Sequence, residues 1–173
     1  MADTLQFGKL SIAIEKTPKQ VTYSFQGEVD EHFNQSDVPR IKADKIIFDL
    51  KDIYNFNSCG IREWIYFLNA MQETQNDGQI IFRNCSVTMM DQINMIPNTL
   101  GEASIESFYA PYYCNSCDVG NVDQLINLKE KKSMILNSEA PKFKCQKCSA
   151  DLEFDAIEDV YFTFAQDTIP KAS

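Results

Sequence analysis

Residues 46–71 read IIFDLKDIYNFNSCGIREWIYFLNAM. Ile46, Ile47, Phe48 and Leu50 make a short apolar run of strand length. Ile61, Trp64, Ile65, Leu68 and Met71 then recur at helical spacing, the pattern of a helix with one face against a sheet. Between them stands Asn57-Ser58-Cys59-Gly60. The stretch predicts a buried strand over 45–50, a turn, and an amphipathic helix over 60–76, with a serine hydroxyl at the helix mouth.

Working outward, Lys9–Glu28 alternates as strands do: Leu10, Ile12 and Ile14, then Val21, Tyr23 and Phe25, with a turn at Pro18. Asp30–Arg40 is polar and contains Pro39, which predicts a loop or short helix. Downstream, Asp77-Gly78 marks the helix stop and Gln79–Phe82 reads as a strand. Ser86 can cap a helix carrying Met89, Met90, Ile93 and Ile96, ending before Pro97. Ser104–Tyr109 is a further candidate strand. Strands alternating with helices predict a mixed α/β sheet with right-handed crossovers and helices on one face.

At Pro111 the composition changes. Cys114-x-x-Cys117 and Cys145-x-x-Cys148 are separated by 27 residues. A CxxC turn aims both sulfurs at one centre, and two such turns on β-hairpins build a four-sulfur tetrahedron suited to structural zinc. Iron would also accept four thiolates, and disulfides are a further alternative. The polar stretch 126–140 reads as a loop that absorbs the long spacing. Leu152 with Phe154, and Val160–Phe164, read as strands. The expected organisation is an α/β domain over residues 1–110 and a zinc-stapled, ribbon-like β module over 111–173. A tail of roughly 60 residues needs such a staple to fold.

The chain has 173 residues and a formal net charge of −9. Its tail carries seven lysines against ten acidic residues. That balance argues against a primary nucleic-acid binder, although Lys142, Lys144 and Lys147 form a local basic patch. No apolar run approaches the roughly 20 residues of a membrane-spanning helix, and MADTLQFGKL does not read as a signal peptide. The expected compartment is the cytoplasm, where six cysteines point to metal ligands and buried thiols before disulfides.

Ser58 has two readings. As an N-cap it would accept a first-turn amide. As a phosphoacceptor it would place an anion at the positive end of the helix dipole, with Gly60 letting a partner approach the backbone. His32 reads as a solvated loop residue, and Cys59 and Cys85 as small buried hydrophobes. Met89, Met90 and Met95 read mostly as core. No nucleophile triad, phosphate-cradling loop or open metal site converges, so no enzyme is expected.

Residues 9–110 resemble a STAS domain, the fold of bacterial anti-sigma-factor antagonists. The family's motif is a strand, then Asp-Ser-(Ser/Thr)-Gly, then a helix. Here IIFDLKDIYNFNSCGIREW stands in that place, with Ser58 on the phosphorylated serine and Gly60 on the glycine. Gly27-Glu28-Val29-Asp30 resembles the family's Gly-x-(Leu/Val)-Asp. Asn57 stands where the family has aspartate, and Cys59 where it has a small hydroxyl residue. The resemblance implies a non-enzymatic binding module for a partner such as an anti-sigma factor with serine kinase activity. It implies contacts from Asp30, Asn57, Ser58, Cys59, Gly60, Ile61 and Arg62, and phosphorylation at Ser58. A second reading is a constitutive scaffold whose two modules hold different proteins. A third is a ribbon that contacts nucleic acid.

Overall fold

Ile46, Phe48 and Leu50 face one side of the sheet and Ile47 the other, yet all four are fully buried. A strand covered on both faces carries a continuous apolar run rather than an alternating one. That strand is central in the computed structural model, which describes residues 3–75 and 78–168. In chain order the first elements are β1 (Asp3–Phe7), β2 (Leu10–Lys16), β3 (Gln20–Val29), β4 (Lys45–Phe56), α1 (Ser58–Gln75), β5 (Gln79–Arg83), α2 (Val87–Met95) and β6 (Ser104–Ile105). The six strands form one sheet in the order β1-β2-β3-β4-β5-β6. The first two pairings are antiparallel and the last three parallel. The β4-α1-β5 and β5-α2-β6 crossovers step the same way across the sheet, so right-handed connections put both helices on one face.

β4 extends six residues beyond its expected end at Leu50. β3 stays alongside it to Val29, with register shifts between Ser24 and Gln26 and between Gly27 and Glu28. These irregularities leave Ile53 and Phe56 buried three apart, which hides the strand from a search for period two. Gly27 holds a positive φ of 121°, and a Cβ there would stand 2.0 Å from the Lys9 carbonyl oxygen.

α1 buries Trp64, Phe67, Leu68 and Met71. Phe48 stacks on Phe67 with ring centroids 5.5 Å apart, and Trp64 meets Phe25 edge-on at 5.2 Å. The indole N–H of Trp64 donates to the Thr99 carbonyl at 2.9 Å, so the largest core side chain is satisfied. Buried Gln75 donates to Ile41 O and accepts from Ala43 N, tying the helix end to the segment that leads into β4. The expected end of the helix at 76 and the Asp77 half of the stop signal lie outside the described residues. α2 starts as expected, with the Ser86 hydroxyl accepting from Met89 N. Met89 and Met90 are core, whereas Met95 is 65% exposed.

The chain then changes sheets at a single residue, Glu106. The remaining elements are β7 (Ser107–Cys114), β8 (Gly120–Asn127), α3 (Leu128–Leu136), β9 (Glu153–Phe154), α4 (Glu158–Tyr161) and α5 (Thr163–Thr168). The second sheet is ordered β8-β7-β9 and is antiparallel throughout. A parallel bridge between Cys85 and Phe108 joins it to the first, and a single apolar core runs from Leu10 to Ala165.

Two expectations fail in the tail. Residues 126–140 are not a loop: Leu128 and Ile135, seven apart, are the buried stripe of α3. Residues 160–164 are not a strand: Tyr161, Phe162, Phe164 and Ala165 are buried at helical spacing. Their aromatic, β-branched composition suggests a strand, but the 3.6-residue period of burial governs.

Candidate functional site

The β7–β8 hairpin brings Cys114 opposite Gly120 and holds Cys117 in its turn. The second pair sits in a turn of its own, closed by Cys145 N–H to Ala150 O and by Leu152 N–H to Phe143 O. Ser149 takes a positive φ of 62° within it. The two turns meet. Cys114 Sγ lies 3.5 Å from Cys117 Sγ and 3.5 Å from Cys148 Sγ, and Cys117 Sγ lies 3.7 Å from Cys145 Sγ. All four sulfurs fall within 4.8 Å of one another. A disulfide needs about 2.05 Å, so these are free cysteines. A metal–sulfur bond of about 2.3 Å gives a tetrahedron with edges of about 3.8 Å, which fits the observed spacing.

The surroundings treat the thiols unequally. The backbone amides of Cys148 and Lys147 point at Cys145 and bring its thiol down to about 6. At Cys117 the Val119 amide pulls the same way, but burial and the neighbouring Cys114, Cys148 and Cys145 outweigh it, and the thiol is pushed up to about 12. Four sulfurs this close cannot all carry charge unless a cation sits among them. The donor set is four soft ligands within 4.8 Å of one another, so these residues could hold a metal ion.

The strand–turn–helix of β4 and α1 places its residues differently from one another. Asn57, not Ser58, caps the helix: its Oδ1 accepts from Gly60 N at 2.8 Å, and its carbonyl accepts from Ile61 N at 2.9 Å. The Asn57 Nδ2 donates to Glu31 Oε2 at 2.5 Å. Aspartate in this place could cap but could not donate. Ser58 is exposed, and among the described residues its hydroxyl makes no hydrogen bond.

Ser58 and Arg62 are exposed, Asn57, Cys59 and Ile61 are half-buried, and Asp30 and Gly60 are buried. The missing side chain of Gly60 serves the chain's own packing: a Cβ would stand 1.9 Å from Val29 O. Asp30 accepts from His32 N at 2.9 Å and contacts His32 Nδ1 at 3.1 Å. Asp30, Glu31 and His32 also bring their ligand atoms within 4.8 Å. They are sequence neighbours closing a turn, and two of the three are exposed.

Cys85 is fully buried, and burial pushes its thiol well up. The basic patch of the tail is largely neutralised: Lys144 pairs with Asp151 at 2.6 Å, and Lys147 pairs with Asp118. No helix among the described residues is long and apolar enough to cross a membrane. Comparison with protein-family models gives no match, and comparison with curated proteins gives none either.

Proposed function

We propose that this protein is a non-enzymatic regulatory binding module, similar to a STAS-type anti-sigma-factor antagonist, with a structural zinc ion in its four-cysteine centre. It binds a protein partner through the mouth of α1, and phosphorylation of Ser58 releases that partner. The observation that carries the reading is the exposed Ser58 hydroxyl, left without a hydrogen bond because Asn57 does the capping. Its use is therefore open to a partner or to a kinase. The first-turn amides of Ser58 and Cys59 have no acceptor among the described residues, so they can receive phosphate oxygens at the positive end of the dipole.

A phosphate adds −1.5 to −2 charges at neutral pH. Here it would stand beside Glu31, which is already held at Asn57. That concentration of negative charge supports loss of a partner rather than a new internal contact.

The experiment is mass spectrometry of the chain purified with its native kinases, paired with pull-down of wild type and Ser58→Asp. Phosphate on Ser58 and loss of a partner in Ser58→Asp are expected. An unmodified serine together with unchanged capture defeats the switch. Elemental analysis of the same sample is expected to give about one zinc per chain, as one four-thiolate site requires.

A further inference from the structure

We propose that metal occupancy of the four-cysteine centre decides whether the C-terminal helical pair, α4 and α5, stays latched on α2. The inference rests on the metal reading above and extends it to a surface that the cysteines do not form.

The path runs from ring to ring. On one side of the second cysteine turn, Phe143 meets Tyr112 at 5.1 Å. On the other side, Phe154 meets Tyr112 at 5.4 Å. Phe154 then stacks on Phe162 at 5.4 Å and 15°. Phe164 reaches Phe108 at 5.2 Å. At the far end, Asn94 of α2 spends both ends of its amide on the pair: Nδ2 donates to Tyr161 O at 2.9 Å, and Oδ1 accepts from Phe164 N at 3.1 Å. The Tyr161 hydroxyl donates to Tyr109 O at 2.6 Å.

The elements that bear these rings cannot hold themselves. β9 has two residues, α4 four and α5 six, all below the length at which a helix or strand persists alone. The first cysteine pair belongs to a hairpin of two eight-residue strands that pair along their whole length. The second pair sits in a short turn whose backbone bonds, around the Lys144–Asp151 bridge, stay within the turn itself. Without the metal, this segment would keep the Tyr112 hydroxyl on Pro141 O, the Phe143 ring contact and the two-residue pairing of β9 with β7. The metal adds the tie that fixes the turn of residues 143–152 beside β7, and with it the frame around Phe154. With the metal gone, that short pairing is left to hold Phe154 by itself, and the latch opens. Opening uncovers Phe108 and Ile93, and it removes Thr163 and Phe164 from the wall of the cleft they share with Asn69, Gln72 and Leu100. That cleft lies on the helical side of the sheet, so the state of the sulfurs would control a second binding surface.

Hydrogen exchange read by mass spectrometry tests this on the full chain. Metal content is measured first, and the protein is then compared before and after chelation and as Cys145→Ser/Cys148→Ser. Amides of 158–168 are expected to exchange about tenfold faster or more without metal, while β3, β4, β5 and α1 stay protected. Asn94→Ala is expected to speed the same amides at unchanged metal content. A chain purified without metal defeats the metal reading and the latch with it. Metal present with 158–168 unmoved by chelation, or with the whole chain exchanging, defeats the latch alone. Unchanged exchange in Asn94→Ala also counts against it.

Discussion

The Asn57 amide accepts from Gly60 at 2.8 Å and donates to Glu31 at 2.5 Å. Asn57→Ala removes the cap and is expected to cost about 1 kcal/mol. Ser58→Ala removes a hydroxyl with no partner and should stay within about 0.5 kcal/mol of wild type. Urea midpoints of the two variants check the contrast, and a larger loss in Ser58→Ala would reassign the cap. Sequence alone put Ser58 at the helix mouth and offered it as the cap; the structure gives the cap to Asn57, and both residue types cap well. The deciding facts are backbone ones: Asn57 N–H pairs with Val29 O, and Gly60 lets α1 press against that same carbonyl. The burial of Gly60 and Asp30 was equally hidden, since it depends on where β3 ends.

At the level of elements, Glu106 is the hinge between the two sheets, and its carboxylate takes Arg83 of β5 at 2.5 Å and faces Lys45 of β4 at 3.8 Å. The hydrogen bond from Arg83 holds this carboxyl below its usual range, with the charges of Arg83 and Lys45 adding to it. The folded state thus binds the proton more weakly than the unfolded one. The pair stabilises above the ordinary glutamate value of about 4.3 and loses its effect as pH falls through the lower folded value. Glu106 is 35% exposed, so screening limits the gain to a few tenths of a kcal/mol. Glu106→Gln should lower the urea midpoint slightly at pH 7 and not at pH 3; a gap that widens in acid would contradict the assignment. Elements with a clean period, such as α1, α2, β2 and β3, were legible. β4 was read too short because bulges broke its period, and α4–α5 was misread because its composition resembles a strand. The cysteine cluster was legible in full, since CxxC spacing fixes sulfur geometry almost irrespective of the loop between the pairs.

For the molecule as a whole, the change of composition at Pro111 does not coincide with a break in structure. β7 runs through that position, and Phe108 packs on Tyr161, Phe162 and Phe164. A chain ending at Ala110 would halve β7 and expose Phe108, a loss of about 2 kcal/mol from that side chain alone, while leaving an unpaired edge. It is expected to aggregate or to unfold at lower urea than the full chain. Size-exclusion chromatography and urea titration check this; a monomer with an unchanged midpoint would show that the first sheet is self-sufficient. Local patterns carry no record of this shared core, because its contacts join residues more than 50 apart in sequence.

The paired lysines beside the second cysteine turn bear on how a visitor first meets this protein. A lysine next to its own carboxylate is, from a distance, a dipole, and a dipole's field dies away faster than that of a lone charge. Beyond a Debye length of about 8 Å, Lys144 and Lys147 therefore make little local positive field, and the net charge of −9, which already counts them, sets the sign. Encounter is steered toward cationic visitors, and recognition at the cysteine turns is left to shape and hydrogen bonding at contact.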